Sequence, residues 1–181
     1  MIAKSSVEQS ARSPARPMAG AVSVVARTPT HIIATQRDLE IVIWRGPTSL
    51  EAVELIRASI DELTRTFPNG IGVLQVVEPV APPPDAAARN ALSNVLRNAG
   101  KSVRGSAIVF EGTGFKMAAV RAIVTGLTML ARPEFPHVVF ADLHEASAWV
   151  AAYLSGANSG RDATIWSSVS ELRDVAARAS A

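Results

Sequence analysis

The chain has 181 residues, of which 48% are hydrophobic and 19% are charged, and its net charge is +2. This length and composition predict one globular domain with a buried core and flanking tails. The absence of cysteine excludes disulfides, thiolate catalysis and cysteine metal sites. The 18 Lys and Arg residues are scattered along the chain, which argues against nucleic-acid binding, and no apolar run approaches the ~18 residues of a membrane-spanning helix.

Residues 1–28 are rich in Ser, Ala, Pro and Arg, and we expect a disordered basic tail. Two arginines, Arg12 and Arg16, precede the mild apolar run Met18–Ala26, an order that also occurs in signal peptides. Because that run lacks Leu, Ile and Phe, a cytoplasmic tail is the favoured interpretation. The alternative for Ala21–Ala26 is an edge strand.

The next residues predict an α/β domain over 29–156. A β-hairpin is expected where His31–Gln36 and the alternating run Leu39–Arg45 flank the turn pair Arg37-Asp38. Further strands are predicted at Ile71–Val77, Ser106–Glu111 and His137–Phe140, short apolar runs typical of strands that are covered on both faces.

Helices are expected between and after these strands. Thr48 and Glu51 form a capping-box pattern before a helix whose apolar stripe runs from Leu50 to Phe67. Asp85 caps a second helix and Asp142 a fourth. The third helix, residues 115–131, is apolar over much of its circumference, so it packs in the core, lines a pocket or faces a partner.

Residues 157–181 are interpreted as a linker and a C-terminal amphipathic helix. Its apolar positions Ile165, Val169, Leu172 and Val175 recur at helical spacing. A helix of this length is marginal alone, so it either docks on its own domain or pairs between chains.

The order of elements, with the segments WRGP, IGVLQVVEP and FADLHEASAWVAAYL, resembles STAS-like domains. These are the anti-sigma-factor antagonist type and its CRAL-TRIO-like relatives, and the small bacterial members are the most similar. The resemblance covers about residues 31–155. It implies a mixed sheet of about five strands with four helices packed on it, followed by the C-terminal helix.

In signalling members of that family, phosphorylation of a Ser or Thr after the central strand switches partner binding. The corresponding stretch here, Glu78–Asp85, contains four prolines and neither Ser nor Thr. We therefore expect partner binding without this phosphoswitch.

Two strand ends carry candidate ligand or partner residues. Glu78 and Glu111 each end a central strand, and if those strands are neighbours the two carboxylates meet at one edge, where one pKa would be raised. Two solvated strand-end acids are the favoured interpretation. The turn Gly112-Thr113-Gly114 leads into the third helix, whose first turns carry Phe115 and Met117. A helix start at a strand end favours anions, but this glycine spacing matches no phosphate-binding motif, so a plain tight turn is preferred.

The three histidines, His31, His137 and His144, have no metal-ligand spacing, and no serine lies in a nucleophile elbow. We therefore expect no catalytic residue, metal or cofactor. The leading hypothesis is a cytoplasmic, non-enzymatic STAS-like module that binds a protein partner or a second copy of itself. The alternative is a small-molecule or lipid-binding module that uses the apolar helix 115–131 around a cavity of several hundred Å³.

Overall fold

A computed structural model describes residues 21–112, 122, 124–125, 133–154 and 160–178. Its six strands are β1 Ser23–Arg27, β2 His31–Gln36, β3 Leu39–Trp44, β4 Ile71–Val77, β5 Val103–Phe110 and β6 His137–Phe140. Its helices are α1 Leu50–Thr66, α2 Ala86–Ala99, α3 Leu143–Ala151 and α4 Arg161–Arg178, with a 3-10 turn at Gly100–Ser102. Ala122, Val124 and Thr125 are also helical, and the rest of the predicted helix 115–131 lies outside the described residues.

The strands form one mixed sheet in which spatial order equals chain order. The pairs β1–β2 and β2–β3 are antiparallel, and β3 to β6 run parallel. This confirms the predicted α/β class with a mixed sheet and helices packed on it. The sheet has six strands rather than about five because Ser23–Arg27 joins as an edge strand, as the alternative interpretation of Ala21–Ala26 suggested. The register along β1 shifts between Val24 and Ala26, which marks a bulge.

Helices cover both faces of the sheet, so the central strands are buried on both sides. On one face, α1 and α2 pack on Ile33, Val42 and Trp44. On the other, α3 and α4 pack on Ile41 and Ile43. We call these the α1/α2 face and the α3/α4 face. The alternation predicted for β3 is thus confirmed, and both of its sides belong to a core.

The β2–β3 hairpin closes through the predicted two-residue turn, because Gln36 pairs with Leu39. Arg37 has a φ of 55°, the left-handed conformation that such tight hairpin turns require. The following residue, Asp38, is 1% exposed and pairs with Arg161 at the start of α4. The turn therefore also anchors the C-terminal helix.

Side-chain caps define the starts of three helices. Asp85 accepts a hydrogen bond from the Ala88 backbone N–H, and Asp142 accepts one from Glu145, both as predicted. The prediction for α1 was one residue off: Ser49, not Thr48, is the cap and accepts from the Ala52 N–H.

The C-terminal helix docks on its own domain. Ile165, Val169 and Leu172 are buried against α3 and the sheet, as the helical spacing predicted, whereas the Val175 side chain lies outside the described part. A hydrogen bond of 2.9 Å from Gln36 Nε2 to Ser168 Oγ adds a buried polar contact. Of the two alternatives, docking on its own domain or pairing between chains, the structure shows the first. No helix among the described residues is long and apolar enough to cross a membrane.

Candidate functional site

Glu78 and Glu111 lie together at the carboxyl edge of the parallel strands, where the sequence favoured two solvated acids. Glu78 follows β4 and Glu111 follows β5, and the two carboxylates share one partner, Arg173 on α4. Arg173 binds Glu111 through both terminal nitrogens, at 3.1 and 2.7 Å, and its Nε lies 3.3 Å from Glu78. Arg45, which follows β3, lies 3.4 Å from the other oxygen of Glu78.

This arrangement differs from two solvated acids. A guanidinium lies between the carboxylates and forms a bidentate pair of the kind that is geometrically specific as well as stabilising. Sequence reasoning missed this role of Arg173, although its position one residue after the buried Leu172 places it at the edge of the helix's apolar stripe. The contacts of Arg173 with Glu78 and Glu111 therefore connect α4 to the carboxyl edge of the sheet.

The remaining candidates lie mostly beyond the described residues. Gly112 is exposed and has a φ of 105°, a conformation that favours glycine. Thr113, Gly114, Phe115 and Met117 lie outside the described residues, so the turn and the apolar helix remain predictions.

The loop after β3, together with the first residue of α1, and the loop after β4 expose apolar side chains at the same edge. The loop after β3 and the proline segment after β4 are neighbours, since Arg45 pairs with Glu78 and both loops line one cavity. Leu50 is 54% exposed and Val80 is 75% exposed. We call this surface the rim, and its exposed apolar residues are Pro47, Leu50, Pro79, Val80, Pro82 and Pro83.

Below the rim, a cavity of about 140 Å³ lies between the α1/α2 face of the sheet and α2. Its apolar walls include Trp44, Ile108, Phe110 and Leu92, and Val124 from the predicted helix 115–131 also contributes. The cavity is smaller than the several hundred Å³ that the alternative ligand-binding hypothesis expects. Its polar lining includes Gln75, whose Oε1 accepts a hydrogen bond of 3.1 Å from Trp44 Nε1.

A row of polar side chains crosses the α1/α2 face near the other end of the sheet. Strand register places Thr35 beside Glu40, Glu40 beside Val73, Val73 beside Ser106, and Ser106 beside His137. Glu40 and Ser106 are 0% exposed. Their side-chain oxygens and Nδ1 of His137 are buried and have no hydrogen-bond partner.

Burial shifts the protonation equilibria in this row. It raises the pKa of Glu40 to about 8, and the nearby Ser59 hydroxyl on α1 offsets part of this by favouring the charged form. Burial also lowers the pKa of His137 to about 4. At neutral pH both side chains are therefore mainly neutral.

The other two histidines lie apart from this row. His31 packs against Trp44 near the carboxyl edge, with ring centroids 6.0 Å apart, and burial lowers its pKa. His144 stacks on the exposed Trp166 at 5.1 Å. Within the described ranges, no three His, Asp or Glu side chains lie together as a metal site would need.

The polar row could not be found from the sequence. Alternation places Glu40 on the same face as Trp44, but Glu40, Ser106 and His137 are too far apart in sequence for their common register to be predicted.

Comparisons with protein-family models, curated proteins and solved structures found no match.

Proposed function

We propose that the chain is a non-enzymatic, STAS-like regulatory module that binds another protein through the rim. The single observation that carries this proposal is the exposure of two large apolar side chains at one edge, Leu50 at the first residue of α1 and Val80 in the loop after β4. Exposed apolar side chains grouped on one edge are typical of interaction sites, whereas single ones are common everywhere.

The composition of the rim favours a protein as the ligand. Proline side chains are held rigidly by their rings, so a partner that covers Pro79, Pro82 and Pro83 immobilises little additional structure. A small free-energy cost of ordering side chains and loops is one of the terms that let a modest interface bind tightly. Arg45 and Glu78 border the rim and offer polar contacts at its margin, the arrangement that protein interfaces commonly have.

Among the described residues, the same edge offers little for chemistry. Both acids that end the central strands, Glu78 and Glu111, are held by arginines. A general acid or base must be able to approach a reacting group, and these carboxylates are committed to a structural contact. This supports a binding role over a catalytic one.

In this proposal, partner binding needs no phosphorylation of the segment Glu78–Asp85, which has no hydroxyl side chain. The partner is a cytoplasmic protein chain, either a different protein or a second copy of this chain. The second copy is the simplest candidate to test first. The STAS-like resemblance rests on the quoted segments and the element order.

A double substitution tests the rim. Leu50→Asp with Val80→Asp should weaken partner or self-association at least tenfold, since losing central apolar contacts in an interface commonly costs more than about 1 kcal/mol each. The fold should tolerate both changes, because Val80 lies in a loop and an acid in the first turn of α1 suits the helix dipole. Native mass spectrometry and affinity capture from the source cells provide the measurement.

Val25→Asp is the matched control, since Val25 is also an exposed valine (46%) but lies on β1 at the sheet edge. It should leave association unchanged. The proposal fails if the wild-type chain is a monomer that captures nothing, or if the rim variant retains the wild-type complex.

A further inference from the structure

The rim carries charges of both signs next to its exposed apolar side chains. Glu51 follows Leu50 in the first turn of α1, is exposed, and makes no ion pair with the described residues. The dipole of α1 favours an acid at this position. Arg45 borders the rim on the side of Glu78. An anionic and a cationic side chain thus flank an apolar centre, an arrangement that protein interfaces commonly have.

Arg45 is only partly engaged within its own chain. Its Nε lies 3.4 Å from Glu78, and its two terminal nitrogens make no hydrogen bond with the described residues. The side chain is 23% exposed. Because a guanidinium can bind a carboxylate through two parallel N–H groups, these terminal nitrogens can bind a second carboxylate while Nε stays with Glu78.

Arg45 and Glu51 lie on opposite sides of the carboxyl edge. Arg45 is directed toward the α3/α4 side, because its partner Glu78 also contacts Arg173 on α4. Glu51 lies on the α1/α2 side, in the first turn of α1. The two charges are therefore held apart within one chain, and the structure shows no ion pair between them.

A second copy of the chain brings these groups together. In a two-fold dimer both copies use the same surface, so each contact between two different residues occurs twice. We consider two rims that meet about a two-fold axis lying in the sheet plane and running across the strands. The α1/α2 side of one copy then faces the α3/α4 side of the other, so that Glu51 of each chain lies opposite Arg45 of the other.

We propose that the rim is the interface of a two-fold homodimer, in which Arg45 of each copy binds Glu51 of the other while Leu50 and Val80 pack between the copies. This inference rests on the proposed function and identifies its partner as a second copy. Complementary charges at an interface fix the orientation of the two partners and make their association depend on salt.

Sedimentation equilibrium of the full chain tests the dimer. The wild type should dimerise with a dissociation constant below about 0.1 mM at low ionic strength and should dissociate more readily in about 0.5 M NaCl, because salt screens the pairs. Glu51→Arg should weaken dimerisation at least tenfold, since it places like charges opposite each other twice per dimer. Asp162→Arg is the matched control, because Asp162 is also an exposed acid in the first turn of a helix, α4, which begins at the opposite edge of the sheet. It should leave the dissociation constant unchanged.

A charge exchange identifies the pair. Arg45→Glu and Glu51→Arg should each self-associate poorly, but an equimolar mixture of the two variants should form a heterodimer, because both contacts then join opposite charges. The double variant Arg45→Glu/Glu51→Arg should form a homodimer again for the same reason. If Arg45→Glu does not unfold cooperatively, Arg45→Gln takes its place. Its mixture with Glu51→Arg should then bind more tightly than Glu51→Arg binds to itself.

The outcomes separate this dimer from the proposed function. A monomeric wild type, a dimer that Glu51→Arg leaves intact, or a mixture that stays monomeric would overturn the dimer. If the wild type is monomeric but captures another protein, and Leu50→Asp with Val80→Asp abolishes that capture, the rim remains a binding surface and the dimer alone is refuted. If the dimer forms and survives Leu50→Asp with Val80→Asp, both the dimer through the rim and the proposed function are refuted.

Discussion

Replacing Arg161 with Met should lower the free energy of unfolding by about 3–5 kcal/mol, the usual cost of removing one partner from a buried ion pair. Asp38 is 1% exposed and Arg161 is 11% exposed, and their side chains are in direct contact. Without the guanidinium, the carboxylate of Asp38 stays buried with its main charge partner gone. The contact joins the β2–β3 turn to the first turn of α4, so α4 should also loosen. Urea unfolding at pH 7, followed by circular dichroism, measures the loss.

Two further variants separate charge burial from other effects. Arg65→Met removes the exposed i,i+3 pair with Glu62 and should cause little measurable change, since surface pairs contribute little. The double variant Asp38→Asn/Arg161→Met should recover part of the loss, because no charge is then buried. If Arg161→Met is as stable as Arg65→Met, the buried pair does not hold α4 in place.

Raising the pH from 6.5 to 8 should destabilise the protein by at most about 1.4 kcal/mol per pH unit, a slope that falls to about half at pH 8, and Glu40→Gln should remove most of that slope. Burial raises the pKa of Glu40 to about 8 in the folded state, whereas an unfolded chain has the usual value near 4.3. The folded state therefore holds a proton that the unfolded state has released. Stability from this group is complete below the unfolded pKa and is lost as pH rises toward 8.

His137 acts in the opposite direction at lower pH. Its folded-state pKa of about 4 lies below the ordinary value near 6.5, so between these values the unfolded state binds the extra proton and stability rises with pH. The two effects oppose each other from about pH 4.5 to 6.5, and Glu40 acts without that opposition above 6.5. Urea unfolding of wild type and Glu40→Gln at half-unit steps measures the difference. Equal slopes in the two proteins above pH 6.5 would contradict this account of Glu40.

Glu40→Leu provides an independent check. An apolar side chain of similar length should be more stable than the wild type at pH 8, because it removes a buried carboxyl group that has no hydrogen-bond partner. A loss of stability on this substitution would mean that Glu40 makes a favourable contact in solution.

Local signals predicted most of the fold. Alternation and apolar runs identified β2 to β6, and Asp85 and Asp142 marked helix starts, because strand burial and capping depend on residues close in sequence. The cap of α1 was misplaced by one residue because Thr48 and Ser49 carry the same kind of hydroxyl. The edge strand at Ser23–Arg27 was only an alternative, since β1 pairs on one side and its exposed valines resemble those of a tail.

The candidate site was predicted in part. The meeting of Glu78 and Glu111 was the less favoured interpretation, although it follows from the rule that parallel strands end at one edge. The role of Arg173 was missed because it comes from a helix 62 residues beyond Glu111, and no local pattern encodes that docking. The position of the cavity was also missed, because its walls come from four strands, α1, α2 and the proline segment, whereas the alternative hypothesis placed it around the helix 115–131.

The sequence by itself determined the α/β class, the order of most elements and the absence of cysteine chemistry, since these follow from composition and from patterns a few residues long. Only the tertiary structure decided that α4 docks on its own sheet, that Arg173 lies between two carboxylates, and that the buried Glu40 and the half-buried His137 lie in one row. Those features depend on register between distant strands and on which helix covers which face. Burial then changed the chemistry, because an ionisable side chain taken out of water shifts its pKa toward the neutral form.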